Sequence, residues 1–255
     1  IDDPRIFSRA LSATEIAQFY NSTKDGYLGN IKMSTGLVGY WKLDDASTSS
    51  AQATDYSGKL NHGTAYSGTA TSTSVLSTST AMIGRAMSFD GVDDWVSVAD
   101  NDSLDIAGSQ TYTAWIYIPA GLSYPNVTRH IIVTKHSDYK QGLLWEGKNN
   151  VVWYSLIIDG AEKGIYLNPT KGQWIHIAGV YTGAELKLYQ NGIESRSGST
   201  AASGSVQINI QPVRIGGGVA ARYTQVFIDD VRIYNYARTP KQIWNQYTKG
   251  LNGLE

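Results

Sequence analysis

The sequence predicts an all-β chain, two packed antiparallel sheets followed by a short C-terminal helix. Three observations carry that prediction. Short runs of β-branched and aromatic residues recur along the chain, punctuated by Gly and Asn. Thr111 to Ile118 alternates, with Tyr112, Ala114, Ile116 and Ile118 on one face and Thr113, Trp115 and Tyr117 on the other. Asn191-Gly192 between two such runs favours a tight hairpin turn. Composition agrees: charged residues are 17% of the 255, below the roughly 25% of an average domain, and Tyr (17) and Trp (7) are plentiful.

The elements follow in chain order. Leu37 to Leu43 reads as a first strand. Residues 44–80 read as a turn-rich surface excursion, because 69–80 is almost entirely Ser and Thr. Ala86 to Phe89 enters a Gly-Asp turn and Trp95 to Val98 leaves it. Strands are then expected at 130–135, 143–145, 151–158, 174–181, 186–190, 212–216 and 225–234. Thr239-Pro240 supplies an N-cap and a proline at the first helical position, so a helix ends the module. About a dozen strands and one helix fit packed antiparallel sheets, not a parallel α/β sheet.

A repeat sets the domain organisation. Ile1-Asp2-Asp3-Pro4-Arg5-Ile6-Phe7 matches Ile228-Asp229-Asp230-Val231-Arg232-Ile233-Tyr234, and the register continues through Ala10 with Ala237, Ile16 with Ile243 and Tyr20 with Tyr247. Only one full body separates the copies. Residues 1–21 are therefore expected to be the terminal strand and helix of a preceding sister module, docked on this module or on a neighbouring molecule. Residues 22–35 follow as linker, 36–248 as one complete module and 249–255 as a tail. A start at Ile1 rather than Met fits a piece cut from a longer tandem array.

Several strings across 36–248 resemble a known family. They are Gly36-Leu37-Val38-Gly39-Tyr40-Trp41-Lys42-Leu43-Asp44, Asp55-Tyr56-Ser57-Gly58 with Asn61-His62-Gly63, Ser88-Phe89-Asp90-Gly91-Val92-Asp93-Asp94-Trp95-Val96, Trp174-Ile175-His176-Ile177-Ala178 and the Ile228 to Tyr234 string. In combination and order they resemble the laminin G-like, concanavalin A-like jelly-roll modules of bacterial surface and secreted proteins. One departure is Trp95, where Tyr is common. The resemblance implies a two-sheet jelly-roll sandwich in a secreted or cell-surface protein. It does not imply one activity, because such folds serve sugar binding, adhesion and spacing, and the superfamily includes glycoside hydrolases.

The residues themselves argue against catalysis. Jelly-roll glucanases align paired carboxylates on one strand, whereas Glu146, Glu162, Glu185 and Glu194 are isolated near turns. No Gly-x-Ser-x-Gly elbow occurs. No pair of histidines has zinc spacing with an acid, and His176 reads as a packed strand residue. The absence of cysteine removes thiol catalysis and disulfides. A net charge of −1 opposes nucleic-acid binding, and no run of about eighteen apolar residues could span a membrane.

Two kinds of site remain. Calcium needs six to eight oxygen ligands, and acids gather in turns. Asp90 and Asp93 share one glycine turn, and Asp229 starts the last strand. The wider family often holds a structural Ca2+ that ties the last strand to a loop, and the resemblance assigns Asp229 to that position. The alternative is that Asp90 and Asp93 bond their own turn and that Asp230 pairs with an arginine. For a sugar, an aromatic platform is needed. Trp41, Trp115 and Trp174 fall in core strings, leaving Trp153 and Trp145 as candidates, with loop Tyr139 weaker. Val152, Tyr154, Leu156 and Ile158 alternate against Val151, Trp153, Ser155 and Ile157, and both sets are too apolar to say which is inside. The expected function is a non-catalytic glycan-binding or adhesion module, with Ca2+ as the expected structural cofactor. Its expected partners are a polysaccharide or cell-surface glycan and neighbouring sister modules. The alternative is a spacer or protein-interaction module without a sugar site.

Overall fold

A computed structural model describes residues 35–45, 51–68, 70–71, 81–124, 129–137, 140–195, 200–218 and 222–251. The chain divides into two compact units, 1–35 and 36–255. The expected sister-module end and residues 22–34 of the expected linker lie outside the described residues. Within the second unit the strands are β1 (Leu37–Trp41), β2 (Gln52–Ala53), β3 (Gly63–Ser67), β4 (Ala70–Thr71), β5 (Met87–Ser88), β6 (Asp94–Val98), β7 (Gln110–Tyr117), β8 (Arg129–Thr134) and β9 (Gly142–Glu146). They continue as β10 (Val151–Ile158), β11 (Ala161–Leu167), β12 (Trp174–Tyr181), β13 (Glu185–Gln190), β14 (Ile193–Glu194), β15 (Thr200–Ala201), β16 (Val213–Ile215) and β17 (Phe227–Tyr234). Helix α1 spans Pro240–Leu251.

These strands form two antiparallel sheets. The first runs β1-β17-β7-β12-β13-β14, with β5 on β17 and β15 on β13. The second runs β11-β10-β9-β8-β16-β6-β3-β2, with β4 on β3. The alternation decides which side faces inward. Tyr112, Ala114 and Ile116 of β7 meet Val152, Tyr154, Leu156 and Ile158 of β10 in one buried cluster. Packing there leaves no spare volume: a Cβ on Gly179 of β12 would lie 2.3 Å from Tyr154 Cγ.

Turn chemistry fixes the register. Asn191 and Gly192 take φ of 53° and 77°, the two positive values a type I′ turn requires. Asp159 and Gly160 (φ 47° and 79°) join β10 to β11 in the same way. The excursion 44–80 departs from expectation, because β2, β3 and β4 lie in it. Gly63 opens β3 directly against Val96 and Val98. The family string around Asp55 organises this segment. Its buried carboxylate accepts hydrogen bonds from the N–H groups of Tyr40, Ser57 and Asn61 (each 2.9 Å) and from Ser57 Oγ (2.7 Å).

Candidate ligand face and acidic turn

Helix α1 occupies the outer face of the first sheet. A reciprocal box starts it: Gln242 N–H donates to Thr239 Oγ1 at 3.3 Å, and Thr239 N–H donates to Gln242 Oε1 at 2.9 Å. Ile243 then buries against Ala178, Val180 and Tyr189. Gln246 Nε2 donates to Thr113 Oγ1 at 2.8 Å, and Gly250 lies against Trp115. His176 is sealed beneath, its ring 5.3 Å from that of Trp115. Neither ring nitrogen has a hydrogen-bond partner, and burial, aided by Arg232 and Arg238, pushes its pKa down to about 3. His176 is a neutral packing residue.

The second sheet presents Trp153 outward. Tyr166 of β11 stands directly opposite on β10, with ring centroids 4.8 Å apart. The Arg129 guanidinium lies over the Trp153 ring at 4.3 Å and pairs with Glu162. Tyr166 is 47% exposed, and the same row continues inward along the sheet through fully buried Leu144 and Ile131. Trp145 lies on the opposite side. It is fully buried, donates from Nε1 to Asn150 Oδ1 at 3.3 Å, and packs edge-on to Tyr124. This corrects the expectation for Trp145: its register against Val152 turns it into the core, where no ring face meets solvent. Tyr139 lies outside the described residues.

A second aromatic pair lies further along the same outward face. Tyr66 of β3 and Trp95 of β6 are opposed in register and stacked, with centroids 4.5 Å apart and planes 17° apart. Arg214 of β16 approaches the Trp95 ring at 5.7 Å. Sequence reasoning registered Trp95 only as a departure from the family and read Tyr66 as part of a loop. The small-residue string Gly63 to Ser67 hid the strand that brings them together.

The acids divide into two places. Asp90, Asp93 and Asp94 bring carboxylate oxygens within 4.8 Å of one another. Asp90 Oδ1 also accepts from the N–H groups of Val92 (2.8 Å) and Asp93 (3.3 Å), closing its own turn. Asp93 Oδ1 accepts from Ser67 Oγ at 3.1 Å. Burial and the neighbouring Asp90 carboxylate raise the pKa of Asp94. Asp229 is not in this group, which corrects the expected set of Asp229, Asp90 and Asp93. Its Oδ2 accepts from the N–H groups of Met82 (3.2 Å) and Ile83 (2.9 Å). Two hydrogen bonds thus tie the last strand to a loop. Burial, with Asp230 and Asp44 adding, pushes Asp229 up to about 8 against those two donors. Asp230 turns away at a bulge (φ 52°) and pairs with Arg232 through Nη2 at 2.8 Å and Nε at 3.2 Å.

A family model of laminin G type, described as the concanavalin A-like lectin/glucanases superfamily, matches residues 90–244. The chain belongs to this superfamily. No curated protein matches it. Among solved structures, the binding domain of Paraclostridial Mosquitocidal Protein 1 is similar with a TM-score of 0.65, at 16% identity over 85% of this chain and 52% of that one. Domain 4 of AbnA, an extracellular arabinanase from Geobacillus stearothermophilus in complex with arabinotriose, gives 0.57, at 19% identity over 82% and 97%. The ligand-binding domain of botulinum neurotoxin serotype D in complex with N-acetylneuraminic acid gives 0.63, at 13% identity over 84% and 51%. The laminin G-type chain thus spans about half the length of the two toxin domains. At these identities the likeness establishes a shared fold, seen here in carbohydrate- and receptor-binding domains. Among the described residues no helix is long and apolar enough to cross a membrane.

Proposed function

We propose that this chain is a non-catalytic glycan-binding module that holds an exported parent protein to a polysaccharide or cell-surface glycan. The observation that carries the reading is the outward face of the second sheet. It bears two aromatic pairs, Trp153 with Tyr166 and Trp95 with Tyr66, and each has a guanidinium beside it. Ring faces stack on sugar C–H surfaces, and the flanking polar groups take up hydroxyls. On the first sheet α1 covers part of the outer face, and the half-buried Tyr117, Trp174 and Phe227 cluster on the rest of it. Two of the three comparison structures named above contain a bound sugar, which supports the class of ligand.

Calcium is the proposed structural partner, at Asp90, Asp93 and Asp94. Hard carboxylate oxygens suit that ion, and backbone carbonyls and water would complete the shell. Its chemistry there would be charge neutralisation of a crowded turn.

A glycan array probed with residues 1–255 and with Trp153→Ala tests the binding reading. Binding to a subset of glycans, lost or cut at least ten-fold in the variant while its Tm holds, supports it. Tyr166→Ala provides a second, more exposed variant should Trp153→Ala unfold. A flat array favours a spacer or protein-interaction module instead.

A further inference from the structure

Among the described residues, four cations pair with carboxylates. Arg129 faces Glu162, Lys135 faces Asp100 and Asp105 at 2.7 Å each, Lys187 faces Glu185, and Arg232 faces Asp230. Arg214 is different. It is half-buried on β16, a central strand of the second sheet, pointing outward between Ser97 of β6 and Thr134 of β8. Its Nε is buried with no hydrogen-bond partner, and no carboxylate faces it among the described residues. Its neighbour is the π face of Trp95 at 5.7 Å, which is itself stacked on Tyr66. Burial lowers its pKa. A half-buried guanidinium costs desolvation that an ion pair normally offsets, and a planar donor fork fits a carboxylate or sulfate.

We infer that Arg214, with the Tyr66–Trp95 stack, forms an anion-recognising subsite, and that the module's ligand is therefore an acidic glycan bearing carboxylate or sulfate groups. This rests on the glycan-binding reading above and narrows its ligand class. In the proposed mode one sugar ring lies on the aromatic stack while its anionic substituent takes the free donors of Arg214. Ser97 offers a hydroxyl one strand away in the same register. Arg129 would contribute less selectivity for charge, because Glu162 already neutralises it.

The test is an array of matched glycans: neutral oligosaccharides and their sialylated, uronate-containing and sulfated counterparts. It is probed with the chain as it stands, with Arg214→Gln and with Trp153→Ala. The expected result is that the strongest ligands are acidic. Arg214→Gln should lower their binding at least ten-fold with unchanged Tm, and Arg214→Lys should recover part of it. The carboxylate and sulfate arms identify the anion. Neutral glycans as the strongest ligands, or acidic binding that survives Arg214→Gln, overturns the inference. If neutral binding is lost in Trp153→Ala but kept in Arg214→Gln, the glycan reading stands and the acidic subsite falls. A flat array removes both.

Discussion

Asp55 and His176 show how single buried groups stabilise the sandwich. Asp55 accepts four hydrogen bonds while 6% exposed, so Asp55→Ala leaves several donors without partners. The expected cost is about 3 kcal/mol or more, read from chemical denaturation. His176 sets an acid limit. Its folded pKa of about 3 lies below its unfolded 6.5, so the unfolded chain binds the extra proton. Its contribution is complete above about 6.5 and is lost as pH falls towards 3, at up to about 1.4 kcal/mol per pH unit. Asp229 acts in the opposite direction. Its pKa rises from 3.8 to about 8 on folding, so its contribution is fullest below 3.8 and is lost as pH rises through 8. Melting curves from pH 3 to 9 should show His176→Phe flattening the acid limb and Asp229→Asn the alkaline limb. At the acidic turn, EDTA should lower the Tm and Ca2+ should restore it, with the response absent in Asp93→Asn. A Tm that ignores both reagents retires the calcium site.

At the scale of elements, the helix meets the sheet in close contact. A Cβ at Gly250 would sit 2.7 Å from Trp115 Nε1 and Cζ2. Gly250→Val should therefore destabilise by about 1–3 kcal/mol through overpacking, and Trp115 fluorescence should report the helix lifting. How much of this was legible in the sequence follows local chemistry. Asn191-Gly192, Thr239-Pro240 and the alternation of β7 are read directly, because each depends on neighbours along the chain. β3 was hidden, because Gly63, Thr64, Ala65 and Ser67 carry no β-signature and their pairing with β6 is long-range. β11 was also missed. Its Glu162 and Lys163 suit an edge strand, and the Asp159-Gly160 turn was the signal that could have revealed it. Trp153 and Trp145 could not be separated by a period of two, since β10 is apolar on both faces. Packing against β7 is what orients them.

Across the whole molecule, the helix covers part of one sheet, and the outward aromatics of the other are the proposed place for a ligand. The seven tryptophans divide accordingly. Trp41, Trp115 and Trp145 are buried, whereas Trp153 and Trp95 stand on the outward face of the second sheet. Each indole N–H gives its own peak in an amide correlation NMR spectrum, so a glycan found on the array can be titrated against all seven at once. Binding at the second sheet predicts that the Trp153 and Trp95 indole peaks move in a saturable way while those of Trp41, Trp115 and Trp145 stay in place. Saturable movement confined to Trp174 and Trp244, with Trp153 and Trp95 unmoved, would contradict it.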